Sequence, residues 1–344
     1  MNRLHTLGLD LPVFQAPMAG VQDAALAIAV ASAGGLGALP CAMLDAEGLR
    51  AQLTRIQAAT DRPYVVNFFC HTPPTPDAER EARWRERLAP YYAELGVDPS
   101  EIKSGPGRRP FDAESAAVLE EFKPPFVSFH FGLPADELLQ RVRATGARIL
   151  STATTLEEAR WLEARGVDAI IAQGGEAGGH SGMFLSEELK TRQHTLGLVR
   201  QLAKAVDRPI IAAGGIVTRV DVERALEAGA SAVQVGTAYL LADEATTSAV
   251  HRAALESPAV QSTTFTNVFS GRPARGIVNR LVREVGPMSP LAPAFPLAAH
   301  AVAPLRAAAE KQGSGDFSPL WAGTRAVECR RGSAAEITRE LLGV

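Results

Sequence analysis

The 344-residue chain holds only three cysteines, Cys41, Cys70 and Cys329, and none share a CxxC spacing. So sparse and odd a set excludes a disulfide framework and points to reduced thiols in a cytoplasmic setting. A basic excess is also missing. Against 35 Lys+Arg stand 38 Asp+Glu, a formal net charge of −3. That balance gives no electrostatic footprint for nucleic acid or an anionic membrane. The opening MNRLHTLGLDLP lacks the continuous apolar core of a secretory signal. Residues 24–44 carry no charge, but they are mostly Ala and Gly and are broken at Gly34-Gly35 and Pro40. They read as helix, turn and buried strand rather than as a membrane span. HExxH, paired Cys/His ligand spacing, GxxxxGK[ST] and GxSxG are all absent. No metal is therefore expected, and neither is a serine nucleophile.

What is present is a rhythm. Hydrophobic residues make up 46% of the chain, enough to bury a sizeable core. Apolar runs at 13–16, 36–39, 64–69, 126–129, 147–151, 168–172, 209–213 and 230–235 read as strands. Segments of helical spacing lie between them: 24–33, closed by Gly34-Gly35; 46–59, with Asp45 as N-cap; 135–144; and 155–165. Strands apolar throughout and separated by helices belong to a parallel sheet covered on both faces. Eight in series predict an α/β fold, a (β/α)8 TIM barrel. An open dinucleotide sheet is the weaker choice, because the first turn reads APMAG and not GxGxxG.

Two stretches break the rhythm. Residues 70–112 form an excursion holding a charged helix near 78–95 and a basic, Gly-rich loop at 105–110. After about residue 243 the chain becomes proline-punctuated. The expected division is a barrel over 1–242 and a helical C-terminal subdomain over 243–325 capping the catalytic face. The last helix, 334–342, is expected to complete the outer ring.

In such a barrel, ligands sit at the C-terminal ends of the strands. Those ends read Ala16-Pro17-Met18-Ala19-Gly20, Asn67, His130, Gln173 with the glycine-dense loop through Gly178, Gly179 and His180, then Gly214-Gly215 and Gly236-Thr237. Glycine turns after the last two strands bring backbone N–H groups close to a phosphate. The amides of Asn67 and Gln173 offer donor and acceptor together, matching the edge of a flavin ring or its ribityl hydroxyls, or else plugging the core. Gln234, polar within an apolar strand, is either satisfied by backbone or a cofactor contact. His180 projects from the stretch where a flat ligand has most room, and His130 is the second candidate for acid–base or binding work. Glu176 reads as a brace for its loop.

These segments resemble the nitronate monooxygenases, formerly 2-nitropropane dioxygenases, and the likeness spans essentially the full chain. It is carried by Gln-Ala-Pro-Met-Ala-Gly, Ala-Gln-Gly-Gly-Glu-Ala-Gly-Gly-His, Ala-Ala-Gly-Gly-Ile and Gln-Val-Gly-Thr. Phe-Ser-Gly-Arg-Pro-Ala-Arg-Gly-Ile-Val-Asn and Leu-Trp-Ala-Gly are similar to the class I branch. The resemblance implies FMN, with nitronates such as propionate 3-nitronate oxidised by O2 through a flavosemiquinone to a carbonyl compound and nitrite. It implies that Ala16, Pro17, Met18 and Ala19 back the flavin, and that Asn67 and Gln173 contact it. Gly178, Gly179, Gly214, Gly215, Gln234, Val235, Gly236 and Thr237 would hold its tail. His180 would be the active-site histidine, with His130 beside it. The partners are then small molecules, without nucleic acid or membrane, and the chain a monomer or homodimer. An NAD(P)H-dependent FMN reductase of quinones or enoyl thioesters shares the glycine-rich His motif. Class I relatives also draw pocket tyrosines and a lysine from the C-terminal region. This chain has four tyrosines, none after Tyr239, and offers Phe295, His300 and Lys311 there, with Arg108, Arg109 or Arg272 as candidate anion binders.

Overall fold

A computed structural model of the chain describes residues 3–102 and 108–344; residues 105–107 of the basic loop lie outside them. The strands are β1 (Val13–Gln15), β2 (Gly37–Pro40), β3 (Tyr64–Phe69), β4 (Phe126–His130), β5 (Arg148–Ala153), β6 (Ala169–Gln173), β7 (Gly179–His180), β8 (Ile210–Ala213), β9 (Ala232–Val235), β10 (Thr263–Thr266) and β11 (Ala274–Ile277). Eight of them form one parallel sheet in the order β1-β9-β8-β6-β5-β4-β3-β2. The Phe14–Leu36 bridge joins its two edges, with Leu36 N donating to Val13 O and Gln15 N to Leu36 O, both at 2.9 Å. The sheet is therefore a (β/α)8 barrel.

Strand side chains alternate between two cores, as the two-residue period requires. Phe14, Val65, Phe126, Leu150, Ile171 and Ile211 pack inside the barrel, where Leu4 and Leu7 of the N-terminal turn join them. Val13, Val66, Val127, Ile170 and Val233 face the helices. The helices start where side-chain acceptors cap free N–H groups. Asp23 accepts from Ala25 N, Asp45 from Gly48 N and Asp112 from Ser115 N, each at 2.8 Å. The helix Ala334–Leu342 packs against both Ala24–Ser32 and Arg219–Glu227 and so fills the gap in the outer ring. The helix Ala113–Phe122, which the sequence reading passed over, takes the ring position after β3.

The part beyond the barrel differs from an all-helical cap. Residues 243–325 include β10 and β11, which form an antiparallel sheet whose third strand is β7, from the glycine-dense loop itself. The excursion helix Ala78–Leu95 also belongs to this cap. Its Trp84, Leu88, Tyr91 and Tyr92 share a core with Phe269, Leu281, Val302, Leu305 and Phe317. Trp84 Nε1 donates to Ala298 O at 3.3 Å, and Tyr92 OH to Ala301 O at 2.7 Å. Among the described residues, no helix is long and apolar enough to cross a membrane.

Candidate functional site

The same alternation aims the top layer of inward residues into one cleft at the C-terminal end of the barrel. Ala16, Asn67, His130, Thr152, Gln173, Ala213 and Gln234 all line it. The cleft encloses about 1340 Å³ of empty space, its open mouth included, ample for a nucleotide-sized ligand.

One end is built from backbone. Gly214 has φ +119°, a region L side chains rarely adopt, and a Cβ there would meet Ala177 N at 2.8 Å. At Gly236 a Cβ would press on Ala16 Cβ at 3.2 Å, with the Met18 side chain just beyond. The N–H groups of Gly215, Gly236 and Thr237 make no hydrogen bond among the described residues and border the cleft. Arg325 stands beside them, donating to Gly215 O at 3.4 Å while it pairs with Asp221 and Glu328. The adjoining 16–19 turn is fixed from behind. Gln22 Oε1 accepts from Met18 N at 2.8 Å and from Gln15 Nε2 at 2.6 Å, and Gln15 Oε1 accepts from Ala38 N at 2.8 Å.

The other end is built from rings. His180 lies between Phe295, at 5.3 Å between centroids, and Trp321, at 5.5 Å, with Phe69 and Phe131 completing the box. Its Nε2 is 2.9 Å from Ser270 Oγ. Burial, then the positive charge of Arg108, hold its pKa well below the ordinary histidine value, so the ring is neutral. Phe131 keeps a left-handed φ of 68°, a strained state for a bulky residue.

The loop carrying His180 is clamped from three sides. Gln173 Nε2 donates to His180 O at 3.0 Å, and its Oε1 accepts from Gly182 N at 2.8 Å. Glu176 Oε2 accepts from Thr195 N and Oγ1, both at 2.9 Å, which is the bracing its position implied. Arg192 and Arg275 donate to the carbonyls of Gly174 and Gly175 at 2.7 and 2.8 Å.

A family profile described as nitronate monooxygenase matches residues 2–343. Two curated relatives of that name, from Paraburkholderia phytofirmans and Pseudomonas aeruginosa, are each 42% identical; both alignments cover 98% of this chain, and 93% and 96% of those proteins. The chain belongs to the nitronate monooxygenase family. It is an oxidoreductase with small-molecule substrates. A solved nitroalkane oxidase from Streptomyces ansochromogenes matches with a TM-score of 0.89 at 40% identity, covering 99% of this chain and 96% of that one. FabK from Thermotoga maritima matches at 0.73 and 23% identity over 100% of this chain and 95% of its own, a likeness of fold alone.

Within this family frame, the residues read from sequence are brought together with one exception. Ala16, Pro17, Met18, Ala19, Asn67, His130, Gln173, Gly178, Gly179, His180, Gly214, Gly215, Gln234, Gly236 and Thr237 all line the cleft. Val235 does not: its side chain is buried between strands and helices, and its carbonyl accepts from Ala16 N at 2.7 Å. Period-two alternation from Gln234 predicts that outward direction. His130 lines the cleft, but both its ring nitrogens are engaged, to Thr152 Oγ1 at 3.1 Å and His180 O at 3.2 Å. Gln173 is likewise spent largely on its own loop. Asn67 donates to Ser128, and among the described residues its Oδ1 has no partner and Gln234 makes no side-chain hydrogen bond. Lys311 is exposed at a helix end, and His300 borders a second cavity. Ser270, Trp321, Arg325 and His251 went unread as site residues. For Ser270 and Trp321 the motif segments were visible, but their contact with His180 is long-range, across 90 residues in the case of Ser270.

Proposed function

We propose that the chain oxidises alkyl nitronates with O2 to a carbonyl compound and nitrite, with FMN as cofactor in the cleft. The observation that carries this reading is the pairing of opposite ends in one cleft. At one end are backbone donors without acceptors in glycine turns; at the other is a neutral imidazole inside an aromatic box. The residues suit FMN. Gly215, Gly236 and Thr237 N–H would hold the phosphate with Arg325 alongside, Gln234 would face the ribityl chain, and the Pro17–Met18–Ala19 turn would back the ring. Asn67 Oδ1 would accept from the ring's imide N–H. When bound, FMN supplies the one-electron and oxygen chemistry.

The chain's own part is binding, orientation and exclusion of water. Phe69, Phe131, Phe295 and Trp321 exclude water around His180. Ser270 Oγ donates to Arg272 O at 3.4 Å, so it accepts from His180 Nε2–H and leaves Nδ1 as the acceptor of the ring. Nδ1 makes no hydrogen bond among the described residues. It can therefore take a proton from the carbon beside a nitro group, or order the nitronate through water. No carboxylate among the described residues lines the cleft to repel an anion.

The test is anaerobic mixing of the purified yellow protein with propyl nitronate and, separately, with NADH. Rapid loss of flavin absorbance with the nitronate, and none with NADH, is the expected result. The reverse pattern assigns the chain to NAD(P)H-dependent reduction, and a colourless protein without FMN rejects both.

A further inference from the structure

Among the described residues two arginines line the cleft, and they are not equivalent. Arg325, at the glycine end, is paired with Asp221 and Glu328. Arg108, at the His180 end, has no ion pair and no side-chain hydrogen bond among the described residues, and its Nε is buried without a partner there. The neighbouring charge it feels is that of Arg306, also positive. Its guanidinium lies 6.0 Å from the ring centroid of Phe295, which in turn lies 5.3 Å from the imidazole of His180. Its backbone is fixed, since His71 Nε2 donates to Arg108 O at 3.1 Å.

The other candidate anion binders are already engaged. Arg109 is exposed and pairs with Asp112 at 3.7 Å and Glu114 at 3.5 Å. Arg272 lies over the Phe131 ring, donates to Met183 O and faces Glu187 at 3.7 Å. A guanidinium offers five donors in a planar fork, and holding it part-desolvated without acceptors is unfavourable unless an anion completes it. Its place beside His180, away from Arg325 and the glycine turns, makes that anion part of the substrate and not the cofactor's phosphate.

Resting on the nitronate reading above, we propose that Arg108 determines specificity by binding a carboxylate on the substrate, a few bonds from the nitro carbon. It thereby selects short carboxylated nitronates over their uncharged-chain counterparts. In this chain a half-buried arginine does the anchoring in a pocket where Phe295 has no hydrogen-bonding group.

The test compares two substrates of nearly equal size, the nitronates of 3-nitropropionate and 1-nitropropane, one ending in carboxylate and the other in methyl. In the wild type, kcat/KM favours the carboxylated one. Arg108→Gln lowers the ratio of the two kcat/KM values at least 30-fold, Arg108→Lys keeps most of it, and the surface control Arg109→Gln leaves it within threefold. A ratio in Arg108→Gln within threefold of wild type overturns the proposal, as does an equal loss on both substrates. Calorimetric titration of the FMN-loaded protein with the nitroalkane forms, 3-nitropropionate (its carboxylate ionised, its nitro carbon still protonated) and 1-nitropropane, separates this from the reaction itself. If the wild type turns over neither nitronate, the reaction reading fails. The carboxylate anchor then stands if Arg108→Gln weakens 3-nitropropionate binding at least tenfold, and falls if it does not.

Discussion

His130 Nε2 donates to the carbonyl oxygen of His180 across 3.2 Å, while Thr152 Oγ1 sits 3.1 Å from His130 Nδ1. A carbonyl can only accept, so Nε2 carries the proton and Nδ1 accepts from the threonine hydroxyl. One histidine thus holds the backbone of the other. His130→Phe removes that donor and leaves Gln173 alone on the His180 carbonyl. The expected result is a fall in kcat of tenfold or more with KM changed less than threefold, partly restored in His130→Gln. Steady-state kinetics on the two variants, with thermal melts beside them, check this.

His180 is kept neutral by burial and by Arg108. An imidazole with a pKa near 6.5 gives a rising limb in kcat/KM between pH 6 and 7. Here that limb is absent, and kcat/KM for a nitronate stays level from pH 8 down to pH 6. His180→Asn keeps its flavin and loses at least a hundredfold in turnover. A wild-type inflection at pH 6.5 would show the ring to be charged in acid and the box around it to be open.

At Gly214 the positive φ and the approach of Ala177 N at 2.8 Å act together. Gly214→Ala strains the backbone by roughly 1–3 kcal/mol and pushes the turn out of line with Gly236. The purified variant is expected to hold less than a tenth of the wild-type flavin while still folding. Absorbance at the flavin band relative to 280 nm, read together with circular dichroism, separates loss of cofactor from loss of fold.

How far the sequence carried each feature depended on the range of the interaction behind it. The eight barrel strands were legible within a residue or two, because a strand buried on both faces is apolar along most of its length, as Ile210–Ala213 is throughout. The helix Ala46–Ala59 and its Asp45 cap were legible because both signals are local. The pairing of Gly179–His180 with Ala274–Ile277 was not: two glycine-rich or arginine-bearing segments about ninety residues apart carry no alternation to mark them. Thr263–Thr266 had β-branched residues to show, but no partner visible nearby. Glycine turns and His180 announced the cleft, while Ser270, Arg275 and Trp321 reach it only through the folded cap.

Three further histidines make stability depend on pH. Burial pushes His71, His130 and His251 each down to about 4, against an ordinary 6.5 in the unfolded chain. Between those values the unfolded state binds the proton and the folded state does not. The stability their neutral forms contribute is therefore complete above pH 6.5 and is lost as pH falls toward 4, at up to about 1.4 kcal/mol per pH unit for His130 and His251 and less for His71, which solvent partly screens. Melting temperature is expected to drop steadily from pH 6.5 to 4. His251→Phe, which cannot take the proton, flattens the slope by about a quarter, since His180 also contributes, as thermal melts across that range would show.

The cap is docked through a contact between Trp84 and Ala298, more than two hundred residues apart. Trp84 is fully buried, and its indole N–H satisfies a carbonyl in the first turn of the helix Ala298–Lys311. Trp84→Ala opens a cavity in the cap core and removes that hydrogen bond, costing about 3–5 kcal/mol. The damage should stay in the cap, because the barrel strands share no core with Trp84. Hydrogen exchange is expected to quicken in the helices Ala78–Leu95 and Ala298–Lys311, while β3 to β6 remain protected. Turnover falls with it, since Phe295 enters that helix from the wall over His180. Uniform acceleration across the barrel strands would mean that cap and barrel unfold as one unit.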